Sequence, residues 1–384
     1  MVALVRQGQS QRHVARRFGV SLCTVQRWVG RARQDRLDRV DFTDRPDGCR
    51  RARLRTSDAW ESRILATRKD LRDNSPLGEF GAAAIGRALK EQEADGLPCL
   101  RTIGRILERR GALDGRRRLR QDPPPRGWYL PDLAAGQSEL DSFDIVNGLV
   151  IRGGIDVEIL NGISLHGGLC VSWPRPQITA KITVPLLIEH WRTFGRPTYV
   201  QFDNDTIFQG AHQFADSFGR VIRLCLSLDV TPVFAPPRET GFQAAIENYN
   251  GRWQAKAWSR FQHRGLRDLC GRSRRFVDAA RQRAASRIEA APERLPFPAP
   301  WKLNLRTPLR GRVIFLRRSD PTGRVVVLGH TYFVSPTWVH RLVRADVNLD
   351  AGQIGFHALR RRDPTHQPLL ATVNYQPPEG AFHE

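Results

Sequence analysis

The sequence predicts a multidomain protein with an all-α N-terminal region, an α/β centre and a small C-terminal β-barrel. Helical apolar spacing fills roughly the first 110 residues. Strand-like apolar runs alternate with helix-like stretches over residues 130–265, and short glycine-bounded runs of alternating polarity fill residues 301–376. A chain of 384 residues is too long for one ordinary core and calls for roughly two to four units.

Composition narrows the function. No apolar run reaches the ~18 residues that a membrane span needs, and no charged start leads into an apolar stretch, so a soluble, cytoplasmic protein is expected. The six cysteines are scattered with no C-x-x-C pair, which argues against a zinc ribbon or a disulfide framework. The formal net charge is +22, and it is unevenly spread. Residues 1–130 hold 29 basic against 16 acidic side chains, residues 131–260 hold 11 against 13, and residues 261–384 hold 21 against 10. Basic flanks of this kind suit a phosphate backbone, whereas a slightly acidic centre suits divalent cations. Only five of the 61 basic residues are lysine. Arginine makes bidentate phosphate and guanine contacts, although a GC-rich genome biases the composition the same way.

Taken in order, residues 1–34 carry helix-turn-helix spacing. Ala15 lets two helices approach, Gly19 permits the sharp turn, and Ser21 caps a second helix that turns Val25 and Trp28 inward. Leu22, Thr24, Gln26 and Arg27 would then face a major groove. Residues 34–57, rich in Arg and Asp, read as a linker. A second helical unit over 58–115 repeats the pattern more weakly after Leu97-Pro98, with Arg101, Thr102 and Arg105 on the outer side of its last helix. The basic, proline-stiffened run 116–126 marks a boundary.

In the centre, apolar runs at 148–151, 157–163 and 168–173 predict three consecutive antiparallel strands. A helix over 178–194, a strand at 198–202 and further helices follow. Three acids stand out: Asp141 in the run Glu139-Leu140-Asp141-Ser142, Asp203 after Tyr199-Val200-Gln201-Phe202, and Glu247 in a helix whose inward stripe is Ile246, Tyr249, Trp253 and Ala257. Between them lie 61 and 43 residues. Asp144 is the alternative first acid. An arginine-rich helical connector and the Pro-rich stretch 292–300 lead to the last part, where runs such as Arg324-Val325-Val326-Val327 read as barrel strands.

These acids at strand, strand and helix positions, behind helix-turn-helix units, resemble the insertion-sequence DDE transposases of the retroviral integrase superfamily. The resemblance implies an RNase H-like core over 130–265 and a C-terminal β-module over 301–376. It implies that Asp141, Asp203 and Glu247 are both catalytic residues and metal ligands. Mg²⁺ would be the cofactor, with Mn²⁺ able to replace it, in 3'-end nicking and strand transfer without a covalent protein intermediate. The implied partners are double-stranded DNA, both element ends and target, and further copies of the chain assembled on it, in a bacterial, nucleoid-associated setting with no membrane. Pro236 to Gly241 resembles the family's mobile loop, with Gly241 as hinge. Arg152, Arg238, Arg252 and Lys256 are candidates for holding DNA. The chain departs from the pattern in having Asp205 where glycine is usual and in the long second gap, which implies an insertion near residues 211–223. Two other readings remain open: an inert, transposase-derived DNA-binding regulator, and a nuclease without strand transfer.

Residues 1 to about 115, expressed alone, are expected to bind one specific duplex. With about six phosphate contacts, affinity should fall roughly 10³-fold between about 50 and 200 mM salt. Competition binding of Arg27→Ala should show specificity relaxed by about 1 to 3 kcal/mol at a guanine; an equal loss on every sequence would place Arg27 on phosphate instead.

Overall fold

The computed structural model describes residues 1–43, 56–92, 94–113, 126–211, 213–239, 241–361 and 363–378. Most of the expected linkers at 34–57 and 116–126 lies outside the described residues. The chain divides into two compact units, Met1–Trp60 and Glu61–Glu384.

The first unit is a three-helix bundle of α1 (Val2–Arg6), α2 (Gln11–Phe18) and α3 (Leu22–Ala32). Ser10 and Ser21 cap the second and third helices, accepting from the backbone N–H of His13 and Thr24. Gly19 ends α2 at φ 62°, in the left-handed region that glycine enters without penalty. Val14, Ala15 and Val25 form the buried centre, with Leu4, Val5, Val20 and Val29 packed around it. Trp28 is only half-buried and lies against Phe42, with ring centroids 5.8 Å apart.

The boundary falls in the first turn of α4 (Asp58–Asn74), and the second unit continues with α5 (Ala82–Glu91) and α6 (Leu100–Arg109). Ile64, Ile85, Leu89, Ile103, Ile106 and Leu107 are buried, and the Glu61 carboxylate is enclosed with Arg109 and Arg110. No side chain caps α6 at Cys99, so its start differs from that of α3. Arg260 donates to the carbonyls of Arg72, Asp73 and Ser75 and so satisfies the open end of α4. Leu77 packs against the core beside it.

After the short α7 (Pro131–Ala134) come β1 (Leu140–Ile151), β2 (Ile155–Ser164) and β3 (Cys170–Arg175), an antiparallel meander. Then follow α8 (Ala180–Phe194), β4 (Tyr199–Phe202), α9 (Thr206–Gln209), α10 (Arg220–Ser227), β5 (Thr231–Phe234), α11 (Ala244–Trp253) and α12 (Leu266–Glu289). A single π-helical turn over residues 254–258 separates α11 from α12. The helix α8 and the strand β4 lie where the apolar runs predict them. The strand β5 was not foreseen. Together with α9 and α10 it fills the long gap between Asp203 and Glu247, where an insertion had been inferred.

The expected C-terminal barrel is not formed. Strands β6 (Arg312–Arg318), β9 (Leu342–Asn348), β10 (Gln353–Ala358) and β11 (Leu369–Asn374) continue the central sheet, while β7 (Arg324–Val327) and β8 (His330–Phe333) make a separate hairpin. The large sheet is open, in the order β11-β10-β9-β6-β5-β4-β1-β2-β3. Its middle four strands are parallel, because β6 pairs with β5 in the same sense as β4 with β1 and β5. The physical reason is apolar matching: Phe315 of β6 stacks on Phe234 of β5 at 5.1 Å, and Val313, Val343, Ala345, Val347 and Phe356 join one core with Val200, Phe202 and Trp191.

Phe315→Ala should therefore cost about 3 to 5 kcal/mol. Chemical denaturation should show residues 126–378 unfolding in one transition at a lower midpoint. Two separate transitions, only one of them shifted, would indicate an independent C-terminal module.

Candidate active site

Side chains along a strand alternate between faces, so Asp141 and Asp144, three residues apart on β1, point to opposite sides of the sheet. Phe143, of Asp141's parity, belongs to the core beneath α8, whereas Val146, of Asp144's parity, packs with Ile246, Tyr249 and Trp253 of α11. This alternation decides which acid meets the others.

Asp141 is buried on the α8 face. Arg294 holds its carboxylate in a two-pronged grip, Nη1 to Oδ1 at 2.8 Å and Nη2 to Oδ2 at 2.6 Å, and Trp191 Nε1 donates to Oδ2 at 3.1 Å. His190 Nε2 stands 3.5 Å away. Burial alone would raise the carboxyl's pKa, but the Arg294 guanidinium holds it well below the usual carboxylate range. Asp141, expected beside Asp203 and Glu247, thus has its carboxylate held by the Arg294 guanidinium, while the charges of Asp203 and Glu247 act on Asp144.

Asp144 is the acid on the other face. It lies opposite Asn161 of β2, and the β1–β4 register, Ser142 beside Gln201, brings it level with Asp203 when carried two residues on. Burial, then the charges of Asp203 and Glu247, push its carboxyl up to about 6, against the pull of hydrogen bonds from the Ile145 backbone and Asn250. Asp203 follows the last residue of β4 and accepts from the Asp205 backbone at 3.1 Å. Asp205, standing where glycine was expected, caps α9 through the Ile207 N–H. Glu247 is exposed in the first turn of α11, and Ile246, Tyr249, Trp253 and Ala257 are all buried, as the predicted stripe requires.

Two asparagines complete the site. Asn250 donates from Nδ2 to Asp144 Oδ2 at 2.6 Å and accepts on Oδ1 from Asn161 Nδ2 at 2.8 Å. An ionised Asp144 carboxylate only accepts, so it takes the Asn250 nitrogen and leaves the amide oxygen to the fully buried Asn161. Sequence reasoning missed this pairing. The available signal was that Asn250 sits three residues after Glu247, hence on the same helical face, and that Asn161 interrupts an apolar strand.

Among the described residues no three carboxyl, imidazole or thiol groups form a ready-made cage. The donor set nevertheless fits a hard divalent cation: it is all oxygen, and its negative charges are close enough to raise Asp144.

The residues expected to touch DNA are distributed as follows. Gln26 and Arg27 are exposed on α3, while Thr24 is half-buried and hydrogen-bonded to Ser21. Arg101 and Arg105 are exposed on α6, with Thr102 half-buried. Arg238 and Arg252 are exposed near the acids' end of the sheet and on α11, and Arg152 is exposed in the β1–β2 turn. Lys256 is used internally: its ammonium donates to Gly78 O at 3.1 Å and lies over the Phe80 ring. Gly241 has φ 89° and open space around it, in keeping with a hinge.

Residues 1–41 match the family described as a homeodomain-like domain. Among curated proteins none matches the chain. Similar solved structures include the simian T-cell lymphotropic virus intasome in complex with the PP2A regulatory subunit B56 gamma, at 12% identity over 72% of this chain and 88% of that one, TM-score 0.34. The catalytic core domain of BIV integrase is similar at 15% identity over 37% and 81%, TM-score 0.28. The HTLV-2 integrase catalytic core domain in complex with magnesium is similar at 11% identity over 42% and 88%, TM-score 0.27. The chemistry of the site rests on its own residues. No helix among the described residues is long and apolar enough to cross a membrane.

Because folding raises the Asp144 pKa, the folded state binds a proton more tightly than the unfolded chain between about pH 4 and 6. Stability should therefore fall as pH rises through that window and level off above it. Asp144→Asn should remove this fall, gaining roughly 1 to 3 kcal/mol at pH 7.5 and little at pH 4. Thermal melts of both proteins from pH 4 to 8 check it, and parallel curves would contradict it.

Proposed function

We propose that this chain is a DNA transposase of the DDE type, and that Asp144, Asp203 and Glu247, rather than a set containing Asp141, are its metal-binding acids. The observation that carries the reading is the electrostatic meeting of one acid from β1, one from the end of β4 and one from α11 on a single face of the sheet. The homeodomain-like helices at residues 1–41 supply the means to find a DNA end, with Gln26 and Arg27 exposed for base contact.

Phosphodiester cleavage and strand transfer require a positioned attacking oxygen, a stabilised leaving oxygen and neutralised phosphate charge. Mg²⁺ held by these carboxylates would supply all three. The chain's own residues do the rest. Asn250, oriented by Asn161, holds the Asp144 carboxylate in place from the α11 side. The turn at Asp203–Asp205 keeps the second carboxylate at the strand end, and the loop ending at Gly241 lets α11 bring Glu247 toward the DNA. Exposed Arg152, Arg238 and Arg252 would hold donor or target phosphates, and further copies of the chain would bring two ends together.

Asp144→Asn, Asp203→Asn and Glu247→Gln should each abolish nicking and joining of a pre-cut end, non-additively, while DNA binding survives. Asp141→Asn should instead lower stability by about 3 to 5 kcal/mol, since it leaves Arg294 buried without its partner, and it should retain metal-dependent activity where folded. Mn²⁺ should replace Mg²⁺, and Ca²⁺ should support binding with little chemistry. A strand-transfer assay with full activity in Asp144→Asn and none in a folded Asp141→Asn would restore Asp141 to the site; full activity in all four variants would remove these acids from the site, and no nicking or joining by the wild-type chain that still binds DNA would remove the transposase reading in favour of a DNA-binding regulator.

A further inference from the structure

The C-terminal strands bring a half-buried arginine to the acids' end of the sheet. Arg317 lies at the end of β6, next to the ends of β5 and β4, because β5 and β6 pair in parallel with Phe234 beside Phe315. Its Nη2 donates to Asn204 Oδ1 at 3.0 Å, and Asn204 immediately follows Asp203. Asn204 in turn donates from Nδ2 to Ala235 O at 2.6 Å, and Arg317 Nη1 approaches the same carbonyl at 3.5 Å. The remaining donors reach Leu316 O at 2.9 Å and Val326 O at 3.2 Å, and the guanidinium lies over the Phe315 ring.

Ala235 is the residue at which the chain leaves β5 for the loop that leads to Glu247. One guanidinium therefore ties together the turn carrying the second acid and the start of the segment carrying the third. No ion pair to Arg317 appears among the described residues, and all four of its acceptors are neutral. Burial pushes its pKa down to about 10, so the charge is held at a cost that lysine's compact head, with no fork to reach separate acceptors, would not repay with the same contacts. Next to it Arg318 pairs with Glu239 inside that loop, a second tie from the same strand end.

We propose that Arg317 is a positioning residue of the metal site, acting through Asn204 on Asp203 and through Ala235 on the approach of Glu247. The inference rests on the proposed metal-binding role of Asp144, Asp203 and Glu247. It makes the C-terminal strands part of the active site rather than a separate DNA-holding module.

The test is Mn²⁺ titration of the full-length chain without DNA, read by electron paramagnetic resonance, alongside strand transfer as a function of Mn²⁺ concentration. Arg317→Met keeps the apolar stem and removes every donor. It should weaken Mn²⁺ binding by roughly 10- to 100-fold and move the Mn²⁺ requirement for activity by a similar factor, as loss of an outer support of metal ligands does. Val343→Ala is the control: Val343 pairs with Arg317 across β6–β9 and is fully buried, so its loss lowers the melting temperature while Mn²⁺ affinity stays within about twofold. Should Arg317→Met not fold, Arg317→Lys carries the test, with an expected loss of roughly tenfold. Wild-type Mn²⁺ affinity in a folded Arg317 variant overturns the proposal. Wild-type protein that binds Mn²⁺ at a site lost in Asp144→Asn, yet joins no DNA, overturns the transferase reading and leaves the role of Arg317 to the titration. Wild-type protein that binds no Mn²⁺ overturns both.

Discussion

The two faces of β1 impose the constraint on which the site depends. A strand running through the middle of a sheet with helices packed on both sides must bury both faces, and β1 carries a carboxylate on each. A buried carboxylate is tolerable only if something answers its charge. On the α8 face Arg294 does so with a two-pronged grip, aided by Trp191, and Asp141 becomes a structural anion that fastens the segment after α12 to the sheet. On the α11 face Asp144 meets two more acids and one amide. Its charge is answered only in part, and its proton is held more tightly than usual. Such an imbalance is unfavourable for a free protein and useful for one that takes up a divalent cation.

The sheet extends this logic beyond the central meander. In β1, β4, β5 and β6 the strands run in the same direction, and the ends of such strands are where ligand sites of α/β sheets gather. Asp144 lies within β1, Asp203 just past β4, Ala235 just past β5 and Arg317 near the end of β6. Each next strand contributes one more part of the site's framework. Pairing β6 to β5 is what puts an arginine from the last quarter of the chain beside a turn 113 residues earlier.

The helical segments show the same division between packing and recognition. In the first 41 residues Val14, Ala15 and Val25 fill the centre, and the exposed positions include Gln26 and Arg27. Around α4 to α6, basic residues do more internal work than their charge alone would suggest: Arg260 closes the end of α4, Lys256 reaches Gly78, and Arg109 and Arg110 enclose Glu61. A high arginine content therefore does not translate directly into DNA-contacting surface.

Local pattern was enough for the features that depend on neighbours in sequence. Gly19 and the cap at Ser21 marked the helix-turn-helix, the stripe of Ile246, Tyr249, Trp253 and Ala257 marked the buried face of α11, and the apolar run before Asp203 marked β4. Three things required the tertiary structure. Strand periodicity puts Asp141 and Asp144 on opposite faces but cannot say which face Glu247 visits, because that is set by how α11 packs on β1 and β2. The alternating runs after residue 301 read equally well as a closed barrel or as added strands, since strand pattern records burial and not the partner that causes it. The answer lay in the match between Phe315 and Phe234, a contact across 81 residues that no local spacing encodes. Likewise Arg294 and Arg317 look alike among 61 basic residues in the sequence. Only the folded sheet makes one the counter-ion of Asp141 and brings the other to the turn beside Asp203.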